Sequence, residues 1–545
     1  MEKIIIVGGV AGGATAVARL RRLNEKLKII LIERGEYISF ANCGLPYYIG
    51  DIIKERSKLI LQTPKAFSTR FNVDVRIKNE AVHINTNTKT VTIIDHTTNQ
   101  TYLETYDKLL LSPGATPLLP PIKGIHHAFT LRNIPDTDKI KNFISTKKPK
   151  NAVIIGGGLI GIEILENLCH LGIETSLIEA SNQILPHLDY EMAIQSHFYL
   201  KSNGVKLYLN QKVFEILEEN GKFYVNIGDI IKTDMVFLAT GVKVENKIAL
   251  ECGLKIGETG GILVNDQMQT SNEDIYAVGD AIEVLDFVTK KPALYPLAGP
   301  ANKQARIAAD NICGIKSKYN NTQATSIIKL FDTTIATTGI NEKTAKHHNI
   351  DYDKAYLWLQ SNASYYPGAF PITIKAIFEK SSGIILGGQF LGKNGVDKRC
   401  DILSVAIRHK MTATDLTELE LSYSPPYSSA KDPINMLGYH IENLVYENTK
   451  QFHWHDVDSI TNDSTKLLLD VRTKEEFNKG HINGFINIPL DDLRNNLNEF
   501  DKTKTFYICC HSGVRSYIAS RILEQNGFNS YNLSGGYRLY KEIFS

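Results

Sequence analysis

Ile4-Ile5-Ile6-Val7-Gly8-Gly9-Val10-Ala11-Gly12-Gly13 stands near the start of the chain, and Ala152-Val153-Ile154-Ile155-Gly156-Gly157-Gly158-Leu159-Ile160-Gly161 repeats its design further on. Each begins with a continuous apolar run rich in β-branched residues, which a parallel strand buried on both faces requires. Each then enters a glycine turn. A helix leaving such a turn points its free amides at a pyrophosphate. The first unit predicts a helix over 14–23 and a second strand over 28–32, ending at Glu33. A carboxylate about 20 residues past the turn suits a ribose diol. The first turn departs from G-x-G-x-x-G because Val10 holds its third position; the flanking strand, helix and Glu33 supply the missing support. The second copy matches in full, with a strand over 151–155, a helix over 162–171 and a strand over 175–178 ending at Glu179. One such turn could be an ordinary loop of an α/β domain. Two complete units argue for two nucleotide sites, with Gly8, Gly9 and Gly13 at one and Gly156, Gly158 and Gly161 at the other. The charge of Glu179 would repel a 2′-phosphate and favours NADH over NADPH.

The chain has 545 residues, enough for three or four domains. Hydrophobic residues make up 43% and charged residues 22%, which fits folded, water-soluble domains rather than a disordered or membrane chain. A net charge of +2 offers no field for nucleic acid. No apolar run approaches a membrane span. The first strand begins so early that no signal peptide is expected. The seven cysteines are Cys43, Cys169, Cys252, Cys313, Cys400, Cys509 and Cys510. They are too scattered for a disulfide scaffold and form no paired Cys-x-x-Cys metal set, so a cytoplasmic protein without a metal centre is expected. Cys169, Cys252, Cys313 and Cys400 read as core residues.

Two further segments extend the pattern: Val236-Phe237-Leu238-Ala239-Thr240-Gly241, and Ile275-Tyr276-Ala277-Val278-Gly279-Asp280. With Leu111-Ser112-Pro113-Gly114-Ala115, they give residues 1–440 a resemblance to the flavoproteins with two dinucleotide folds, the pyridine nucleotide-disulfide oxidoreductases. The resemblance implies an FAD domain over 1–115 and 247–325, an NADH domain over 116–246 and an α+β dimerisation domain over 326–445. It puts Ser112, Gly114, Gly241 and Gly279 beside the cofactors, and has Asp280 accept hydrogen bonds from the FAD ribityl and phosphate region. A helix N-cap before Ala281 is the alternative for Asp280.

Ser39-Phe40-Ala41-Asn42-Cys43-Gly44-Leu45-Pro46-Tyr47 resembles the coenzyme A-disulfide reductase branch and its persulfide-reducing relatives. Cys43 stands alone, because position 48, where a dithiol enzyme would carry a second sulfur, is Tyr48. A lone thiol has to pair with a small thiol or cycle through a sulfenate or persulfide. The resemblance implies a thiolate at Cys43, stabilised by oxidised flavin or helix amides. Tyr365-Tyr366-Pro367-Gly368 and Ser424-Pro425-Pro426-Tyr427-Ser428-Ser429-Ala430-Lys431-Asp432-Pro433 agree with the same branch. By resemblance Tyr366 and Tyr427 come from the partner subunit of a homodimer and flank the sulfur or flavin. They read equally as proton donors to a leaving thiolate and as interface packing. Arg19 and Arg22 share a helix face and suit a 3′-phospho-ADP, so coenzyme A is the expected ligand. A solvated basic helix, with Arg21, Lys26 and Lys28 nearby, is the alternative. Thr15, Ser39, Asn42 and Asn302 match positions lining the coenzyme A channel, and Lys303 and Lys431 read as ligand-orienting or surface residues. Peroxide-reducing relatives carry a histidine where this chain has Ala11, which counts against an NADH peroxidase.

A new module begins after a helix expected over 435–447. Leu467-Leu468-Leu469-Asp470-Val471-Arg472 reads as a strand ending in an acid-arginine pair. Gly480-His481-Ile482 follows, and then the strand Thr505-Phe506-Tyr507-Ile508-Cys509. The loop Cys510-His511-Ser512-Gly513-Val514-Arg515-Ser516 leads into a helix expected over 517–526. Residues 455–545 resemble a rhodanese domain. Inward-pointing amides would stabilise a Cys510 persulfide and Arg515 would add charge. Cys509 to Arg515 also spells Cys-x5-Arg, the spacing of cysteine phosphatases; a strand ending at Cys509 favours the shorter loop from Cys510. The expected enzyme is an α/β, FAD- and NADH-dependent reductase of coenzyme A disulfide, persulfide or polysulfide, with sulfur transfer at Cys510. An NADH oxidase or peroxidase with an appended rhodanese domain and a noncatalytic flavin redox sensor are the competing readings.

Overall fold

The computed structural model describes residues 2–461, 463 and 465–544. It divides into two compact units, Met1–Ile184 with Leu200–Thr322, and Leu185–Tyr199 with Gln323–Ser545.

In the first unit, Lys3–Val7 lies at the centre of a five-stranded sheet ordered Ile275–Ala277, Lys108–Leu111, Lys3–Val7, Lys28–Glu33, Asp74–Ile77. All its pairings are parallel. Ile4, Ile5, Ile6, Ile30, Leu31 and Leu109 to Leu111 are fully buried, as two-faced burial of a parallel sheet demands. The second sheet runs Lys206–Tyr208, Glu174–Ile178, Asn151–Ile155, Val236–Leu238, again parallel. The last strand of the first sheet, Ile275–Ala277, follows the whole second sheet in the chain, so the two folds interleave. The outgoing and returning connections pair with each other as the antiparallel strands Ala115–Pro117 and Val242–Val244.

Both nucleotide helices begin three residues earlier than the sequence pattern suggests, at Ala11 and Leu159. The glycines lie inside the first helical turn because the helix must pass its own turn closely. A Cβ on Gly13 would sit 1.8 Å from the Gly8 carbonyl oxygen, and one on Gly161 would sit 2.1 Å from that of Gly156. Arg21 also differs from the solvated basic residue expected. It is 3% exposed, and its guanidinium donates to five main-chain carbonyls, those of Asn24, Glu25, Leu27, Phe71 and Asn72.

The second unit contains an antiparallel sheet ordered Ser326–Leu330, Thr333–Gly339, Ile385–Gly392, Pro371–Glu379, Tyr352–Gln360, with helix Val396–Arg408 packed on it. It also contains a parallel sheet ordered Gln451–Phe452, Asn529–Leu533, Thr505–Cys509, Lys466–Asp470, Ile486–Asn487. The strand Lys466–Asp470 stops short of Arg472, because the Asp470 carboxylate accepts both the backbone N–H and the Nε–H of Arg472 at 3.0 Å and turns the chain. The helix expected over 435–447 forms as Pro433–Val445, with Asp432 capping it through Ile434 N–H. The last loop helix begins at Val514 rather than 517, since Gly513 takes a left-handed φ of 102° and starts it. Residues Leu185–Tyr199 belong to this second unit, although their sequence position lies inside the stretch expected to form the NADH domain.

Candidate active site

The two glycine turns stand at the C-terminal ends of central parallel strands, where open α/β sheets bind ligands. Gly8 and Gly156 have φ of 94° and 107°, and a Cβ on either would strike the neighbouring carbonyl of Ser112 or Ala239 at 2.1 or 2.4 Å. No atom lies within 4 Å of where a Cβ on Gly158 would point, so the main chain there is open to a phosphate. Glu33 Oε2 accepts Gly9 N–H at 2.8 Å and Oε1 accepts Gly35 N–H at 2.7 Å. Glu179 repeats this, taking Gly157 N–H on Oε2 at 2.8 Å and Ser181 N–H on Oε1 at 2.9 Å. Each carboxylate fastens its own turn to its strand and keeps lone pairs for a ribose. A cavity of about 180 Å³ lined by Gly8, Glu33, Asn79, Pro113 and Glu245 opens beside the first turn. Its position, the open turn and the two carboxylates fit a dinucleotide cofactor.

Ser112 lies against this turn, its Oγ 2.5 Å from where a Cβ on Gly12 would stand. Gly114 has φ of 76° and abuts Arg132, whose Nη2 lies 2.7 Å from the place of a Gly114 Cβ. Gly241 and Gly279 have φ of 108° and 84°. Asp280 falls within the short turn Gly279–Ala281, whose N-cap position is held by Val278, so the capping alternative is not what the structure shows. Burial pushes the Asp280 carboxyl up, and Arg132 opposes the shift.

Cys43 is exposed, in the single turn Asn42–Gly44 that leads into helix Leu45–Ile49. Desolvation by the protein around its sulfur, followed by the charges of Glu163 and Asp280, pushes the thiol up, against a lowering main-chain hydrogen bond. The protein's own groups therefore oppose the thiolate that the sequence reading expects. Burial raises Glu163, on the second nucleotide helix, to about 7. Tyr47 Oη lies 3.5 Å from Glu163 Oε1, and burial with Glu163 lifts this phenol to about 12. Cys43, Tyr47, Glu163 and Asp280 thus gather a thiol, a phenol and two carboxyls from three distant stretches of sequence.

Among the other candidates, Thr15 Oγ1 donates to Asn302 Oδ1 at 2.6 Å, which brings those two together. Arg19 is paired with Asp310 at 2.7 Å, so part of its charge is already met, whereas Arg22 is exposed. Asn42 is exposed, and Ser39 adopts a left-handed φ of 44° with its N–H donating to Gly9 O. In the second unit Tyr366 and Tyr427 are 42% and 71% exposed, and Lys303 and Lys431 are also exposed in their respective units. The large exposure of both tyrosines leaves their phenols free for another molecule.

Cys510 is buried directly after the strand Thr505–Cys509. Its Sγ accepts Gly513 N–H and Ser516 Oγ–H, both at 3.1 Å. Cys509 is buried within the strand, and desolvation pushes its thiol well up, as expected of a core residue. Arg515 turns its guanidinium to Glu476, with Nη1 and Nη2 at 2.6 and 2.7 Å from the two carboxylate oxygens. That pairing, ahead of the opposing burial, holds Glu476 down to about 2. The charge expected at the sulfur is thus matched by Glu476, and the side-chain donor at Cys510 is Ser516. Sequence reasoning missed Ser516, Glu476, Arg132, Tyr47 and Glu163. Tyr47 and Ser516 were legible as polar residues inside the quoted motifs and Glu163 as an acidic residue in the helix expected over 162–171; Glu476 and Arg132 carried no local signal.

Among the described residues one acidic trio, Asp189, Glu191 and Glu342, is close enough to hold a metal ion. Lys375 Nζ already occupies it, at 2.8 Å from both Asp189 and Glu342 and 2.5 Å from Glu191.

The chain matches the family model of pyridine nucleotide-disulphide oxidoreductases over residues 2–305, that family's dimerisation domain over 325–433 and the rhodanese-like domain over 454–543. It is similar to the reduced CoADR-RHD of Bacillus anthracis, at 51% identity and a TM-score of 0.97, over 99% of this chain and 98% of that one. A NAD-dependent persulfide reductase from A. fulgidus aligns at 35% identity and a TM-score of 0.90, over 99% of this chain and 100% of that one. A coenzyme A disulfide reductase of Staphylococcus epidermidis is 37% identical over 81% of this chain and 99% of its own length.

Proposed function

This chain belongs to the pyridine nucleotide-disulphide oxidoreductase family and carries a rhodanese-like domain, and on that footing we propose that it reduces coenzyme A disulfide, coenzyme A persulfide or a related polysulfide with NADH. The observation that carries the reading is Cys43. It is a lone, exposed thiol set among groups from both dinucleotide folds, Asp280 after the first sheet and Glu163 on the helix of the second.

FAD held at the first glycine turn would supply two-electron transfer from NADH to sulfur. The chain's residues do the rest. Gly8, Gly9, Gly13 and Glu33 hold the FAD end, and Gly156, Gly158, Gly161 and Glu179 the NADH end. Ser112, Gly114 and Asp280 line the former, while Gly241 and Gly279 turn the chain beside them. Thr15, Arg19, Arg22, Ser39, Asn42, Asn302 and Lys431 orient coenzyme A. Cys43 Sγ attacks one sulfur of the substrate and forms a mixed disulfide, while the other sulfur departs with the bonding pair. Tyr366 or Tyr427 of a second copy donates the proton that this sulfur needs. Two electrons then cleave the mixed disulfide and free the second thiol. Cys510 accepts or supplies sulfane sulfur, with Gly513 N–H and Ser516 facing its sulfur. The fusion favours persulfide over plain disulfide, since a symmetric disulfide gives a sulfur-transfer domain nothing to carry. The dimerisation-type domain and the exposed tyrosines support a homodimer.

Two variants of the full-length holoenzyme test this. Cys43→Ser should abolish NADH oxidation driven by coenzyme A persulfide and keep thiosulfate sulfurtransfer. Cys510→Ala should do the reverse. Unchanged persulfide turnover in Cys43→Ser would remove that thiol from the reaction.

A further inference from the structure

Arg399 lies in the first turn of helix Val396–Arg408 and is completely buried. Its Nη2 donates at 3.0 Å to the Ser361 carbonyl, at 3.0 Å to Ser428 Oγ and at 2.8 Å to Asp432 Oδ2. Nη1 donates to Gly395 O at 3.1 Å. Ser428 Oγ–H in turn donates to Asp432 Oδ2 at 2.6 Å. Ser361 is the root of the loop carrying Tyr366: its N–H donates to Phe370 O at 2.8 Å and its Oγ accepts Phe370 N–H at 3.1 Å. Ser428 follows Tyr427 directly, and the N–H groups of both donate to Ser424 O. One guanidinium therefore grips the two loops that carry the exposed phenols. Between the loops runs one main-chain hydrogen bond, Ala363 N–H to Pro425 O at 3.3 Å, and an exposed contact of the Tyr365 and Tyr423 hydroxyls at 3.2 Å. An open cavity of about 600 Å³, lined by Asn362, Pro367, Asn394, Lys398 and Tyr427, occupies the rest. A buried ion pair adds little net stability compared with apolar packing, and fixing a local geometry is one use such a pair can serve. The planar fork of arginine can serve several acceptors at once, which a lysine ammonium at that depth cannot reproduce.

We propose that Arg399, with Asp432 and Ser428, is a positioning residue that locks the Tyr366 and Tyr427 loops into one body, so that both phenols are presented together to the neighbouring copy's sulfur. The clamp rests on the proton-donor reading given above for its purpose, but not for its existence, and the test separates the two. Arg399→Lys is made in the full-length holoenzyme, with Ser428→Ala as the milder variant that leaves the buried charges paired. Amide exchange in segments 361–370 and 422–432 should accelerate together. The kcat for persulfide-driven NADH oxidation should fall about tenfold or more with KM little changed, a scale set by small misplacements of reacting groups. Thiosulfate sulfurtransfer at Cys510 in the same chain should hold and report an intact fold. Against a Tyr366→Phe, Tyr427→Phe background the Arg399→Lys change should cost nothing further. Exchange that rises in one loop alone or in neither, or a full additive loss in that background, overturns the clamp. Coupled exchange with inert phenylalanine variants keeps the clamp and overturns the proton-donor reading instead.

Discussion

After desolvation, the charge of Glu163 is the largest influence on the Cys43 thiol. Its carboxyl sits near 7, raised first by burial, while Tyr47 partly opposes the shift and Glu166 adds to it. The folded state thus holds this proton more tightly than the unfolded chain, whose glutamate titrates at 4.5. The resulting stability is complete below the unfolded value and is lost as pH rises through about 7. Glu163→Gln should remove that dependence. Denaturant unfolding of wild type and variant should diverge between pH 5 and pH 8 by up to roughly 3 kcal/mol, each pKa unit being worth about 1.4 kcal/mol. Parallel curves across that range would show that the carboxyl is not raised. The same residue keeps negative charge away from the thiol at lower pH and returns it at higher pH, where it works against thiolate formation at Cys43.

The glycine turns act at the scale of elements. Strand, turn and helix each follow from local chemistry, but their fit depends on missing Cβ atoms. Gly161→Ala would place a methyl 2.1 Å from Gly156 O and 3.3 Å from Ala239 Cβ, with no flexible side chain to yield. The helix Leu159–His170 should shift off its strand, and NADH should bind at least tenfold more weakly while bound flavin stays in place. Stopped-flow reduction at varied NADH separates these effects, and an unaltered NADH dependence would contradict the close approach. These elements were legible because periodicity and glycine spacing are local signals. The helix starts were misjudged by three residues because glycine propensity alone argues against a helical first turn, and only the approach of turn to helix overrides it. The sulfur loop was equally readable up to Cys510. The partner of Arg515 was not, since Glu476 lies 39 positions away on another element.

At the scale of the whole molecule, burial of charge marks where remote segments are tied together. Lys375 is fully buried among Asp189, Glu191 and Glu342. Burial alone would push Glu342 up; Lys375 and Lys354 outweigh it and hold the carboxyl well below its ordinary range. This knot binds Leu185–Tyr199 to the antiparallel sheet of the second unit. Lys375→Met should lower stability by about 3–5 kcal/mol, because it leaves buried carboxylates uncompensated. The loss should shrink when Asp189→Asn and Glu191→Gln are added, as read by denaturant unfolding; an equal loss with and without them would assign the effect to packing. The second unit carries another such junction. Gln451 Nε2 donates to Asp353 Oδ2 at 3.0 Å and to Lys354 O at 2.8 Å, and Arg538 lies 5.2 Å from the Trp358 ring centre. The rhodanese-like sheet is thereby held against the edge strand Tyr352–Gln360.

Sequence by itself determined the two dinucleotide folds and the sulfur loop, because each is written in a contiguous run whose periodicity or glycine spacing has few structural solutions; the lone thiol followed from Tyr48, and the dimerisation domain was legible only through the family resemblance. Only tertiary structure decided what surrounds the sulfurs and which charges are already spoken for. Arg19 meets Asp310, Arg515 meets Glu476, Arg21 caps main-chain carbonyls and Arg399 spans two loops. A long cationic side chain reaches partners from any element folded beside it, and nothing in the local sequence specifies which one that will be.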